Sequence, residues 1–102
     1  MASRLELHEE LCKLLGSRNV YFNPPEDIKM KYPAIRYSLS GVDLARADNK
    51  IYRNTNQYSL TVIDEDPDSQ IYVKILTHFQ MASLGRPYPA ENLNHFPLTL
   101  YY

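Results

Sequence analysis

The sequence predicts an α+β fold, an antiparallel β-sheet with two α-helices packed on one face, and three observations predict it. Residues 34–39 and 58–63 alternate apolar and polar side chains with the period of a half-buried strand. Residues 3–15 and 66–79 repeat their apolar side chains at helical spacing. The order of these signals, helix, strands, helix, strands, is that of helices laid on one side of an antiparallel sheet. At 102 residues the chain is a single domain, 1–102, with room for one modest core and with no internal repeat or linker.

The first helix opens at Ser3, whose side chain and that of Glu6 form a capping box in which each satisfies the other's backbone N–H. Leu7, Leu11, Leu14 and Leu15 make its apolar stripe, Glu6, Glu9, Glu10 and Lys13 its wet side, and Gly16 its left-handed stop. Residues 19–23, NVYFN, form a short extended segment that Pro24 and Pro25 end. The next strand runs from Pro33, with Ile35, Tyr37 and Leu39 on one face and Ala34, Arg36 and Ser38 on the other. Residues 57–63 follow the same rule, with Tyr58, Leu60 and Val62 on the apolar face and Ser59, Thr61 and Ile63 opposite.

These two strands are expected to pair antiparallel across residues 42–56, a polar connection too long for a tight hairpin turn. It reads either as a surface loop or as an arm that orders against a neighbour. In the second case Leu44, Ile51 and Tyr52 are its apolar anchors, and Arg46, Lys50 and Arg53 its polar contacts. Asp64, Asp66 and Asp68 around Pro67 stop the strand and start the second helix, with Asp66 as its cap and Ile71, Ile75 and Phe79, joined by Tyr72 and Leu76, as its buried stripe. Residues 81–84 make a short strand before GRPYP breaks the chain. The chain ends in a strand with Phe96, Leu98, Leu100 and Tyr102 on one face, and Pro97 places its start at a sheet edge or bulge.

Composition narrows the function classes. Eleven basic and twelve acidic residues give a net charge of −1, which offers no general attraction to phosphate, so no specific nucleic-acid binding is expected. Nine Tyr, three Phe and no Trp describe a chain rich in rings that are half buried and half wet, as interfaces use them. The lone Cys12 allows no intramolecular disulfide and suits a reducing compartment. Charges run through the first fifteen residues, so neither a signal peptide nor a membrane span is read there, and a soluble intracellular product is expected.

The candidate chemistry is thin. Asp64, Asp66 and Asp68 match the first, third and fifth positions of a calcium loop, but Ser69 stands where that loop needs Gly, and Ile75 cannot give its bidentate carboxylate. Helix capping accounts for the same acids without a metal. His8 and Cys12, four apart, lack a third ligand, and His8, His78 and His95 are scattered. No nucleophile elbow or phosphate loop is present, so the expectation is no catalytic residue, no metal and no cofactor. His95 with Asn92 and Asn94 reads as a hydrogen-bonding cluster that pins the last loop.

The phrases NVYFNPPE (19–26), KYPAIRYSLSGVD (31–43), YSLTVIDEDPDSQI (58–71) and AENLNHFPLTLYY (90–102) cover almost the whole chain, and together the sequence resembles a family of small proteins of long-tailed bacteriophages and prophages. These are the tail-completion proteins, also called tail terminators, minor capsid proteins or head–tail joining proteins. The resemblance implies a structural virion protein, not an enzyme, made in the host bacterial cytoplasm and built into the neck. It implies a homo-oligomeric ring, typically a hexamer, that terminates the tail tube and meets a head connector protein; the tail tube protein, the connector and its own copies are the implied partners. The alternative within the same resemblance is a head-completion or connector protein on the portal side. The family supplies no catalytic motif to carry over.

Overall fold

The computed structural model describes residues 4–25, 29–47 and 50–102, with side chains described outside 43–55. Eight elements follow in the order α1 (Arg4–Leu15), β1 (Val20–Phe22), β2 (Ala34–Ala47), β3 (Lys50–Asp64), α2 (Ile71–His78), β4 (Ala82–Leu84), β5 (Tyr88–Ala90) and β6 (Leu93–Tyr101). The strands make one six-stranded sheet in the order β1-β2-β3-β6-β4, with β5 also paired to β6. The fold is α+β with both helices on one face, as the sequence predicts. The predicted alternation decides which face: Leu7, Leu11 and Cys12 of α1 and Ile75 of α2 share one buried cluster with Ile35, Tyr37, Tyr58, Leu60, Val62, Phe96, Leu98 and Leu100. Leu39, assigned to the same face, is 49% exposed, because β1 stops at the level of Tyr37 and leaves it without a neighbour on that side.

The sheet is mixed where an antiparallel one is expected. β1 pairs β2 in parallel, Val20 opposite Ile35 and Phe22 opposite Tyr37. Alternation reports which face a residue takes and is silent on strand direction. Gly16 ends α1 as predicted, at φ +85° with its N–H donated to the Cys12 carbonyl at 2.9 Å. Ser3, the predicted partner in the capping box, lies outside the described residues.

The second helix starts later than the acids suggest. Its first residue is Ile71, and Gln70 at the cap position makes no side-chain cap bond. Asp66 does not cap it, and Pro67 is not its first helical residue. The Asp64 Oδ1 accepts the Asp66 N–H at 3.1 Å and the Asp66 Oδ1 accepts the Asp68 N–H at 2.9 Å, so the acids are spent on two successive Asx turns.

The last strand also departs from expectation, since it begins at Leu93 and runs between β3 and β4, with Pro97 in its middle. The Pro97 carbonyl accepts the Gly85 N–H at 2.7 Å. In a strand the N–H and C=O of one residue point the same way, so the missing donor faces the break between β4 and β5 and the ladder to β3 loses nothing. Residues 90–95, read as a loop, hold a hairpin instead: β5 and β6 pair up to Ala90 opposite Leu93, and Glu91 and Asn92 between them have φ of 53° and 64°. Positive φ at both central positions is the mark of a tight hairpin turn.

Candidate functional site

Three surfaces follow from this architecture. The first is the stretch 42–56, where the structure corrects the reading of a connection too long for a tight turn. β2 and β3 stay paired through it, from Val42 opposite Asn56 to Ala47 opposite Lys50, leaving only two residues of sequence between the paired ends. The ladder slips at two places. Ser40 is passed over between Leu39 and Gly41, and its hydroxyl donates to the Gln57 carbonyl at 3.1 Å; Tyr52 is passed over between Ile51 and Arg53.

β6 accompanies the pair only as far as Gln57, with Asn56 and Tyr102 exchanging backbone hydrogen bonds just beyond, and β1 only as far as Tyr37. Past these points no third strand among the described residues lies alongside. Gly41–Ala47 is seven residues, about 23 Å of strand at roughly 3.3 Å each, and the molecule is 51 Å long against 24 and 22 Å across. The hairpin is therefore a projecting ribbon with two unpaired backbone edges.

Of the predicted contact residues, Leu44 lies opposite Asn54, Arg46 opposite Ile51, Lys50 opposite Ala47 and Arg53 opposite Ala45, and Tyr52 is the bulge residue. The structure brings all six together on the outer part of the ribbon. Their side chains fall outside the described ones.

The second surface is the helix-free face of the sheet. Register sets Arg36 opposite Thr61 and Ser38 opposite Ser59, while His95 lies opposite Ile63. Tyr88, across the hairpin from His95, stacks on its ring at 4.8 Å with 6° between the planes. Arg36, Ser38, Ser59, Thr61, Tyr88 and His95 line a basin of about 550 Å³ with no carboxylate among its described lining residues, and Glu91 lines an adjoining hollow with Arg36 and His95. Arg36 has no ion-pair partner among the described residues. The alternation placed Arg36, Ser38, Ser59 and Thr61 on this face, but their meeting with His95 and Tyr88 depends on register and could not be read from spacing.

The third surface is the acidic turn, residues 64–68, with Glu65, Asp66 and Asp68 exposed. Asn94 donates from Nδ2 to the Asp64 and Glu65 carbonyls at 3.4 and 3.2 Å and holds the turn to the sheet, so the asparagine next to His95 pins this turn instead of the last loop. No group of three His, Cys, Asp or Glu side chains among the described residues is placed to hold a metal ion.

The three histidines sit apart. His8 Nδ1 lies 2.7 Å from the Tyr37 hydroxyl under the sheet, His78 Nε2 lies 3.3 Å from Glu10 Oε1, and His95 stacks on Tyr88. Among the described residues no helix is long and apolar enough to cross a membrane. No protein-family model matches the chain, and no curated protein matches it.

Proposed function

We propose that the chain is a structural virion protein of a long-tailed phage or prophage that forms a ring at the head-proximal end of the tail, terminates the tube and joins it to the head. The observation that carries this reading is the projecting ribbon, whose unpaired edges suit contact with a neighbouring subunit or the tube. The phrases that carry the resemblance fall mostly on the frame behind it: KYPAIRYSLSGVD on β2 up to the base of the ribbon, YSLTVIDEDPDSQI on β3 with the acidic turn, and AENLNHFPLTLYY on the β5–β6 turn and β6. A ring uses heterologous contacts, one patch of each copy against a different patch of the next, and this domain carries a ribbon at one end and an acidic turn at the opposite end of β3. The test is light scattering over a concentration series, followed by cosedimentation with purified tail tubes and, separately, with tailless heads. A ring-sized species, alone or on tubes, is the expected result. Binding to heads and not to tubes would move the protein to the portal side of the neck, and binding to neither without self-assembly would end the reading.

A further inference from the structure

We propose that the basin around Arg36 is the receptor for the acidic turn, residues 64–68, of a second copy of this chain. The inference rests on the ring reading for one thing only, that the partner is another copy.

The receptor side is a guanidinium that makes no ion pair among the described residues, with Glu91 lining the adjoining hollow beside it. Arg36 is exposed and lies among the hydroxyls of Ser38, Ser59 and Thr61 in a basin with no carboxylate among its described lining residues. A planar guanidinium with hydroxyl donors beside it is chemistry for a carboxylate, which it can hold through two parallel hydrogen bonds.

The ligand side is a set of carboxylates that make no ion pair among the described residues. Glu65, Asp66 and Asp68 are exposed. One oxygen each of Asp64 and Asp66 shapes the turn, and Asn94 ties its backbone to the sheet. A turn already held in shape loses little freedom on docking. About 550 Å³ is within the range of sites that take a small ligand or a loop tip. The two surfaces differ, as a heterologous contact requires, and they match in charge, which fixes register and favours the right encounter.

The experiment is an NMR titration of the full chain with an acetylated, amidated peptide of residues 63–69. A control peptide carries Asn and Gln in place of its acids. The acidic peptide is expected to move the signals of the Arg36 Nε–H and of the Thr61 and His95 amides, and the control peptide is not. Arg36→Gln, a change on the exposed face, is expected to weaken the acidic peptide about tenfold, a difference of about 1.4 kcal/mol. Equal shifts from the control peptide, equal shifts from acetate at the same carboxylate concentration, unchanged binding to Arg36→Gln, or no shifts at low-millimolar peptide would each overturn the proposal. The ring reading is scored apart from this. Peptide binding without assembly on tubes leaves the docking and removes the ring, whereas rings that form unchanged with Arg36→Gln leave the ring and remove the docking.

Discussion

Inside the core, the Tyr37 hydroxyl is the polar group that has to be satisfied, and three residues arrange it. Arg4 Nη1 donates to it at 3.4 Å, with Arg4 Cζ 4.4 Å from the Phe22 ring centre, while His8 Nδ1 sits 2.7 Å away. Burial, then the nearby charges of Arg4 and Arg18, lower the His8 pKa and favour its neutral ring, whose tautomer sets the direction of the hydrogen bond with the Tyr37 hydroxyl. A base with a lowered folded pKa adds stability that is full above its ordinary value and is lost as pH falls below it. Two residues further along α1, Glu10 Oε1 lies 3.3 Å from His78 Nε2, and its carboxylate and the Tyr102 hydroxyl perturb one another. The hydrogen bond to Glu10, followed by burial, pushes the Tyr102 pKa up from 10 to about 12, and the Glu10 carboxyl is lowered, first by Tyr102. The Tyr102 contribution is therefore complete below pH 10 and disappears as pH climbs toward about 12, whereas that of Glu10 is present above the usual carboxylate range and is lost in acid. Glu10→Gln is expected to return the Tyr102 titration toward 10 and to flatten both limbs of the stability profile. NMR titration of ring-labelled tyrosine reads the first effect, and urea midpoints across pH read the second. A Tyr102 pKa that stays near 12 in Glu10→Gln would show that burial alone sets it.

Elements that end on a special backbone conformation are testable one at a time, and α1 is the clearest. A Cβ added at Gly16 meets nothing within 4 Å, so Gly16→Ala pays only for an L-residue at φ +85°. That costs about 1 kcal/mol, or a fall in Tm of roughly 4–8 °C for a domain of this size. Gly85→Ala, with ordinary φ and contacts no closer than 3.4 Å to Pro97, is expected to change Tm much less. Equal losses at the two sites would place the cost in glycine's absence as such and not in the turn. The same contrast explains how much was legible. α1, β2, β3 and the apolar face of β6 could be read because burial on one side imposes a period. The ribbon reads as a connection because its pairing continues beyond the core, where no face has to be apolar and no period is imposed. The start of α2 is not legible in the acids, because Asp and Ser serve helix caps and Asx turns equally well. The basin at Arg36 was half legible: its face followed from alternation, but its closure by His95 and Tyr88 came from a hairpin hidden in GRPYPAENLNH.

At the scale of the whole molecule, the domain divides into a part that carries stability and a part that reaches outward. Every residue of the buried cluster belongs to α1, to α2 with its C-cap Phe79, or to the strand segments outside 41–57. Beyond Gly41 and Gln57 the ribbon pairs with itself, apart from the two backbone hydrogen bonds that Asn56 exchanges with Tyr102, so replacing 43–55 by an Asn-Gly turn joins Val42 and Asn56, already in register, keeps those bonds and uncovers no core side chain. The shortened chain is expected to keep its fold, with a change in unfolding free energy of no more than about 1 kcal/mol, since closure entropy varies slowly with loop length. Its amide spectrum for residues 58–64 and 93–101 should overlay that of the full chain. Assembly should behave differently. If the ribbon is the arm that reaches a neighbour or the tube, the shortened chain stays monomeric and fails to cosediment with tail tubes, while full-length protein does both. Single changes then divide the loss, with Tyr52→Ala and Arg53→Ala expected to cost more than changes at Ala45 or Ala47, because aromatic and guanidinium side chains dominate interface energetics. A shortened chain that folds and still forms rings would shift the subunit contact to the sheet face and the acidic turn, where the charge match between Arg36 and residues 64–68 would have to carry it alone.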